Sequence, residues 1–475
     1  MARIDLSELT IAKVHTAFRR GDYSAVDLVQ AYLRRIDQVN PRLNAILAIN
    51  PNAVQEAQAL DDAFRASRTL RPLHGVPVLV KDNIFTSAMP TTYGSKVAAW
   101  RPKLPLDDAQ VIKQLQGAGA IILGKTTLPD WATDFFSAST VSTWTHNPYD
   151  LARDPGGSSS GTAAGIAANL ALVGVGTDTG GSIRLPSSFC SLVGMRPTVG
   201  LTSLNGVSPF VGCQDTVGPM CRTVTDAARL LDTLVLPTSP QSLAPSGGLY
   251  AAHLLPDCLP GPVCLGHLPQ LGAEEAAVEA LFTQVLTCLR GHASVTVRDL
   301  DIPSLSSTLA AASIMLSRGQ HDLDDFLRTT VGTSLKTIYR DQAYPPTNFG
   351  IPGVATHAST LTDRSTASNA RDALDRIITA HLSQAGVEVL VFLTAGRAAP
   401  LREEITPEMG VTFPVHAMLA STLQWPAISV PIGFTATGLP VGLEILGRPL
   451  SDQRLLEVAF VIEQIVQGRR PPTVD

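Results

Sequence analysis

Two long stretches of this chain contain no charged residue, and they limit the folds that the chain can adopt. Positions 155–177 and positions 409–443 both lack Asp, Glu, Lys and Arg. A membrane-spanning helix needs about 20 consecutive apolar residues. The first stretch instead begins with Gly, Ser and Thr, and four prolines interrupt the second. We therefore predict that both stretches lie inside a large folded core and that neither crosses a membrane.

The composition of the 475 residues excludes other classes of protein. Hydrophobic residues make up 45% of the chain and charged residues 16%, which excludes a disordered chain. The formal net charge is −5, so no basic surface field is expected to hold nucleic acid or an anionic membrane. The six cysteines form no CxxC pair and no zinc pattern with histidine, so no metal site is predicted. The first residues include no apolar segment typical of a secretory signal, which predicts a cytoplasmic protein.

Short apolar runs alternate with helical patterns, which is typical of an α/β fold. The first 70 residues predict peripheral helices, one of which starts at Ser24 and ends at Pro41. Further helices are predicted over 53–66, 111–116 and 163–172, and strands over 75–80, 120–123, 387–393, 427–433 and 441–446. Prolines, serines and glycines over 237–262 predict a surface connection.

Two segments match the consensus sequences of known functional motifs, but the residues in and around them do not predict the local structure that these motifs need. Positions 119–126, GAIILGKT, match a P-loop. A phosphate cradle needs a loop whose N–H groups turn inward, whereas Ala, Ile, Ile and Leu predict a buried strand. Positions 157–161, GSSSG, match a nucleophile elbow, but the residues before them are polar and turn-forming rather than a strand. We predict neither nucleotide binding nor an α/β-hydrolase site.

Three other segments contain residue types that can take part in catalysis. Lys81 ends an apolar run, where a charged amine is costly unless it is paired or neutral; an ion pair with Asp82 is the structural alternative. Positions 155–161, PGGSSSG, allow close backbone approach, and a loop or helix N-cap is the alternative there. Positions 176–184, GTDTGGSIR, can direct several N–H groups at one point, as an oxyanion hole requires; a tight turn is the alternative.

The order of these three features resembles the amidase signature family. LHGVPVLVKDNI at 73–84 is similar to the lysine segment of that family, and PGGSS and GTDTGGSIRLP follow with a spacing of 24 positions from Ser158 to Ser182. Similar blocks include GKTTLPDWA, HNPYD, FCSLVGMRPTVGL, QDTVGPMCRTVTDAA and WPAISVPIGFTATGLPVGLEILGRP. The resemblance covers about 73–235 and 410–465, whereas 237–385 matches poorly.

The resemblance implies a fold and a set of site residues. The fold would be a single α/β/α domain over 1–475, with a large mixed, twisted sheet flanked by helices. Ser182 would be the nucleophile, Ser158 the bridging hydroxyl and Lys81 the base, with a cis peptide bond before Ser158. The remaining implied residues are the oxyanion-hole amides of Thr179, Gly180, Gly181 and Ser182 and the supporting pair Asp178 and Arg184. Neither a metal nor an organic cofactor is implied.

The implied activity is hydrolysis of C–N amide bonds through an acyl-enzyme, and the same triad suits carbamates and esters. Candidate substrate-pocket residues would suit an apolar or aryl substrate; they are Trp131, Asp134, Phe135, Phe136 and Ser137, with Trp144, Phe210 and Trp425 further along the chain. Large aromatic residues are equally at home in a core, so this assignment stays open.

Two other functions remain open alongside a free-standing hydrolase. The chain also resembles the glutamine-hydrolysing component of tRNA-dependent amidotransferases, which needs a partner chain. A catalytically silent scaffold is the third hypothesis, against which the intact Lys81, Ser158 and Ser182 argue. The expected partner is a small amide or related acyl substrate, and a homodimer is compatible with the family.

Overall fold

The computed structural model describes residues 4–99, 107–235, 250–254, 262–357 and 361–474. The predicted connection at 237–262 therefore lies mostly outside the described residues. Those residues form eleven strands: β1 (Ile46–Ile49), β2 (Pro77–Lys81), β3 (Ile121–Thr126), β4 (Val173–Asp178), β5 (Val193–Arg196), β6 (Thr216–Cys221), β7 (Val263–His267), β8 (Val295–Asp299), β9 (Val389–Leu393), β10 (Ala427–Phe434) and β11 (Pro440–Leu446).

The strands are surrounded by helices along the whole described chain. These are α1 (Ile11–Arg20), α2 (Ala25–Leu43), α3 (Ala53–Ser67), α4 (Lys96–Ala99), α5 (Gln110–Gly117), α6 (Ser160–Ala167), α7 (Arg184–Phe189), α8 (Val224–Leu234), α9 (Ala276–Gly291), α10 (Leu305–Ala312), α11 (Met315–Phe326), α12 (Leu335–Arg340), α13 (Gly350–Thr356), α14 (Leu361–Ala385), α15 (Pro407–Thr412), α16 (Met418–Leu423) and α17 (Asp452–Val466). The predicted α/β class is confirmed.

All eleven strands join one mixed sheet in the order β1-β3-β2-β4-β6-β5-β10-β11-β9-β7-β8. β2 runs parallel to both β3 and β4, whereas β4, β6, β5, β10, β11 and β9 alternate in direction. Strands β2, β3 and β4 are buried at every position, which explains their continuous apolar sequence. The P-loop-like letters at 119–126 fall largely in β3, so the strand prediction there is confirmed.

Two predicted helix boundaries were wrong. Pro41 does not end its helix, because α2 continues to Leu43. A proline in the last turn forfeits one backbone hydrogen bond, and Asn44 ends the helix instead, in a left-handed conformation with φ 52°. The helix predicted over 163–172 occupies Ser160–Ala167. The chain must then turn to enter β4 at Val173, so residues 168–172 leave the helix.

The parallel pairing of β2 and β4 positions the candidate site. Val80 lies opposite Val175 in the register, so the carboxyl ends of the two strands open at the same edge of the sheet. Lys81 is the last residue of β2, and Asp178 is the last residue of β4. Helix α6 packs against both strands, and Gly174 in β4 permits that approach because a Cβ there would lie 2.5 Å from Thr162 Cγ2 in α6.

No helix in the described ranges combines the length and the apolar character that a membrane span requires. The same part of the chain contains no group of three or more His, Cys, Asp or Glu side chains placed to hold a metal ion.

Candidate active site

Lys81 and Ser158 are in direct contact inside the protein. The Nζ of Lys81 donates to Ser158 Oγ at 2.7 Å, to Thr177 Oγ1 at 2.8 Å and to the Thr177 carbonyl oxygen at 3.3 Å. Lys81 is fully buried and Ser158 is 1% exposed. The peptide bond between Gly157 and Ser158 is cis, as the resemblance implied. The structure therefore brings together two side chains that are 77 residues apart in the sequence.

Burial changes the chemistry of the Lys81 amine. It lowers the pKa of Lys81 to about 7, while the negative charges of Asp178 and Asp215 act in the opposite direction. The alternative partner, Asp82, is occupied by another residue, because its carboxylate forms a buried ion pair with Lys125 Nζ at 2.8 Å. Near neutral pH a large fraction of Lys81 is thus uncharged and able to accept a proton.

Ser182 lies in the turn between β4 and α7, next to the Lys81–Ser158 pair. Its carbonyl oxygen accepts a hydrogen bond from the Ser159 N–H at 3.1 Å, which joins the turn to the segment that carries Ser158. Ser182 is 5% exposed and lines a small cavity. Among the described residues that line the cavity, Ser182 is the one serine, alongside the threonines Thr133 and Thr179, whereas Lys81 and Ser158 do not line it.

The turn before Ser182 presents backbone N–H groups. Within the described chain, the N–H groups of Thr179, Gly180 and Ser182 donate to no protein acceptor. The fourth predicted oxyanion-hole donor, Gly181, differs, because its N–H donates to Asp178 Oδ1 at 3.0 Å. A carboxylate is a stronger acceptor than a neutral carbonyl, so the Gly181 N–H is engaged by Asp178 here, and the oxyanion-hole assignment stays a prediction.

Asp178 organises this turn from a fully buried position. Its carboxylate accepts from the Ile183 N–H at 3.1 Å, from Arg184 Nε at 3.0 Å and from Arg196 Nη1 at 3.0 Å. Burial alone would raise the pKa of Asp178, but the charges of Arg184 and Arg196 outweigh burial and lower the pKa. The predicted pair of Asp178 and Arg184 is present, and Arg196 is a third member that the sequence did not single out.

Arg184 also reaches the opposite side of the site. Its Nη1 contacts Glu444 in β11 and donates to the Ala417 carbonyl oxygen at 2.8 Å. The charge network thus connects the turn at 178–184 to the closing strands, and it holds the Ser182 backbone without touching the cavity.

The predicted substrate residues divide into two groups. Asp134, Phe135 and Phe210 line the cavity beside Ser182. Burial, together with the charge of Asp154, raises the pKa of Asp134 to about 8. The Asp134 carboxylate also accepts from the Phe136 N–H at 3.0 Å. This side of the cavity therefore holds a carboxyl group that is mostly neutral near pH 7.

The remaining predicted substrate residues do not line the cavity. Trp131 stacks on Tyr93, with ring centroids 5.4 Å apart. Phe136 packs edge-on against Phe413 at 5.4 Å, and Ser137 Oγ donates to Asp154 Oδ2 at 2.6 Å. Trp425 belongs to one apolar cluster and Trp144 packs against another, and neither residue lines the cavity. Trp131 and Ala132 both have φ 59°. In this left-handed turn the side chains of neighbouring residues point to different sides of the chain.

The sequence did not predict the opposite wall of the cavity. That wall consists of Met315, Leu316, Phe349, Gly350 and Val354. All five lie in the poorly matched region 237–385, where the helical pattern is weak. No local signal marks them, because apolar residues in a core helix and in a cavity wall have the same sequence pattern.

Comparison with known proteins identifies the family of the chain. The Amidase family model matches residues 27–456. A probable amidase of Arabidopsis thaliana is 32% identical, and the match covers 98% of this chain and 92% of the relative. A glutamyl-tRNA(Gln) amidotransferase component of Salinispora tropica is also 32% identical, over 99% of this chain and all of the relative.

A solved structure agrees with these sequence matches. The peptide amidase of Stenotrophomonas maltophilia superposes with a TM-score of 0.85 at 33% identity, and the alignment covers 99% of each chain. Both the fold and the sequence over nearly the whole length are shared, so the chain belongs to the amidase family of enzymes that act on C–N bonds.

Proposed function

We propose that this protein hydrolyses amide bonds with Ser182 as the nucleophile, Ser158 as the proton relay and Lys81 as the base. The observation that carries the proposal is the 2.7 Å contact between Lys81 Nζ and Ser158 Oγ in a fully buried setting. A buried lysine with hydroxyl partners instead of a contacting carboxylate is suited to take up a proton. This contact also supports catalysis over a silent scaffold.

The reaction would proceed in two halves. Neutral Lys81 accepts the Ser158 proton while Ser158 accepts the Ser182 proton, and Ser182 Oγ attacks the carbonyl carbon. The N–H groups of Thr179, Gly180 and Ser182 would stabilise the negative oxygen that forms. The relay then returns a proton to the leaving nitrogen, the C–N bond breaks, and an acyl-enzyme remains. Water attacks this ester through the same relay and releases the acid.

The cavity supports an uncharged substrate with an apolar or aryl group. Its lining is mostly apolar, and the aromatic members are Phe135, Phe210 and Phe349. An aryl amide, carbamate or ester would fit such a lining, because the chemistry requires only an acyl carbon and a leaving group.

Glutamine hydrolysis within an amidotransferase is the second candidate, and the 32% identity to an amidotransferase component over 99% of this chain favours it. Glutamine carries charged α-amino and α-carboxylate groups, which need charged partners when they are desolvated. Among the described residues that line the cavity, Asp134 is the one acidic residue, and there is no Arg or Lys to pair with the α-carboxylate. This supports the free-standing amidase over the glutaminase.

A panel of p-nitroanilides, primary amides, carbamates, esters and glutamine tests the proposal. We expect release of p-nitroaniline by the purified chain, a covalent acyl adduct on Ser182 by mass spectrometry, and loss of both in Ser182→Ala. Ser187→Ala is the matched control, because its buried hydroxyl has no hydrogen-bond partner among the described residues. Full activity of Ser182→Ala would refute the proposed nucleophile, and release of ammonia from glutamine alone would favour the amidotransferase.

A further inference from the structure

The cavity at Ser182 is too small for any amide substrate. Its volume is about 20 Å³, which accommodates a single water molecule. Sites for small molecules typically occupy about 300–1,000 Å³. Substrate binding therefore requires an adjoining space.

A surface groove adjoins the cavity at Phe349. The groove has a volume of about 610 Å³. Phe349 lines both the groove and the cavity. The short helix α13 also lines both the cavity and the groove, because Val354 lines the cavity and Pro352 lines the groove. Phe349 and α13 thus form the partition between Ser182 and the surface.

Phe349 forms its part of the partition with a partly buried side chain. Its ring contacts the Phe135 ring with centroids 5.6 Å apart. On the other side the ring packs against the backbone of Gly410, since a Cβ at that position would lie 2.1 Å from Phe349 Cδ1. A rotation of this one side chain would join the two spaces into a cleft of ordinary ligand size.

The groove lining is mostly apolar, and Gln342, Asn348 and Thr356 are its uncharged polar members. Tyr344, Pro346, Pro352, Pro407 and Val411 line it. Val411 is 73% exposed, an unusual fraction for a valine. Glu408 is the one charged side chain among the described residues lining the groove, so an anionic ligand is disfavoured.

We propose that this groove binds the extended apolar substituent of the amide substrate, and that Phe349 moves aside to admit it. The proposal rests on the proposed amidase function and names its substrate class: amides that carry a chain or ring system long enough to pass Phe349. The occupant is the substrate itself, because the groove shares its Phe349 wall with the cavity that contains Ser182.

Chain-length selectivity tests the proposal. With p-nitroanilides of acetic, butyric, hexanoic and octanoic acid, we expect kcat/KM to rise roughly threefold to fourfold per added methylene until the groove is filled. In Val411→Asp the ratio of octanoyl to acetyl kcat/KM should fall at least tenfold. Val54→Asp is the matched control, since Val54 is an exposed valine on α3, and it should leave both rates unchanged. Phe349→Ala should raise the octanoyl rate.

A binding measurement separates this proposal from the proposed function. Calorimetry with Ser182→Ala protein should show octanamide or N-octylacetamide binding at least tenfold more weakly when Val411→Asp is added. The two probes place the chain on the acyl side or on the amine side. Equal affinity of both probes with and without Val411→Asp, together with equal rates at every acyl chain length, would overturn the groove assignment. Tight probe binding without hydrolysis of any amide would instead overturn the proposed function and leave the groove assignment supported.

Discussion

Asp82 forms a buried ion pair with Lys125, at 2.8 Å, and not with Lys81, which precedes it in the chain. Lys81 and Lys125 lie on the adjacent parallel strands β2 and β3, and both are fully buried. Val80 lies opposite Lys125 in the register, so the side chains of Lys81 and Lys125 lie on opposite faces of the sheet. One lysine thereby has a carboxylate partner, and the other has hydroxyl partners.

The pH dependence of activity follows from the Lys81 pKa of about 7. Only the neutral amine accepts a proton, so kcat/KM should rise as the pH increases through about 7 and should level off above it. The profile should be measured from pH 5 to 9 with a p-nitroanilide. A rate that is constant or that falls over this range would contradict the assigned base.

Removal of Lys125 should cost stability. Lys125→Met leaves the Asp82 carboxylate buried without its partner, and breaking a buried pair costs about 3–5 kcal/mol. Urea denaturation followed by circular dichroism measures the free energy of unfolding. Lys113→Met is the control, because Lys113 pairs with Asp107 at the exposed surface and such pairs contribute about 0–1 kcal/mol. Equal effects of the two substitutions would contradict this interpretation.

Removal of the relay hydroxyl should affect turnover and not folding. Ser158→Ala deletes the hydroxyl that contacts Lys81 and that we propose as the relay to Ser182, and we expect kcat to fall about 10²–10⁴-fold, the usual contribution of a positioned acid–base group. Ser160→Ala is the matched control two residues along the chain, since its buried hydroxyl finds no hydrogen-bond partner in the described ranges. If both variants keep wild-type kcat at unchanged thermal stability, Ser158 is not the relay.

The two adjacent glycines of the turn should respond differently to alanine. Gly181 has φ +119°, and a Cβ there would lie 2.9 Å from Ala417 Cβ. Gly181→Ala should therefore shift the Ser182 backbone and lower kcat by about 10²–10³-fold, as loss of an oxyanion donor does. A Cβ at Gly180 would meet Met315 Sδ at an ordinary 3.4 Å, so Gly180→Ala should fold normally and mainly raise KM. Steady-state kinetics of both variants distinguish the effects.

The sequence predicted the α/β class, five of the eleven strands of the described residues and the residues of the candidate triad. Those residues are recognisable because each occurs with an unusual neighbour: Lys81 after a buried apolar run, and both serines in glycine-rich turns. The prediction was less accurate where adjacent residues have the same chemical character but their side chains point to different sides of the chain. Phe135 lines the cavity and Phe136 lies in a core cluster, and no rule of composition separates them.

The amino-acid sequence alone determined which segments are buried and which side chains carry chemistry, because apolar periodicity and local glycine and serine patterns act within a few residues. The tertiary structure decided the partners. Asp82 pairs with Lys125, the Gly181 N–H donates to Asp178, and Phe349 lies between the cavity and the groove. Such choices depend on the register of strands and the packing of segments that are far apart in the chain, and on the free-energy cost of leaving a buried charge or N–H group unpaired.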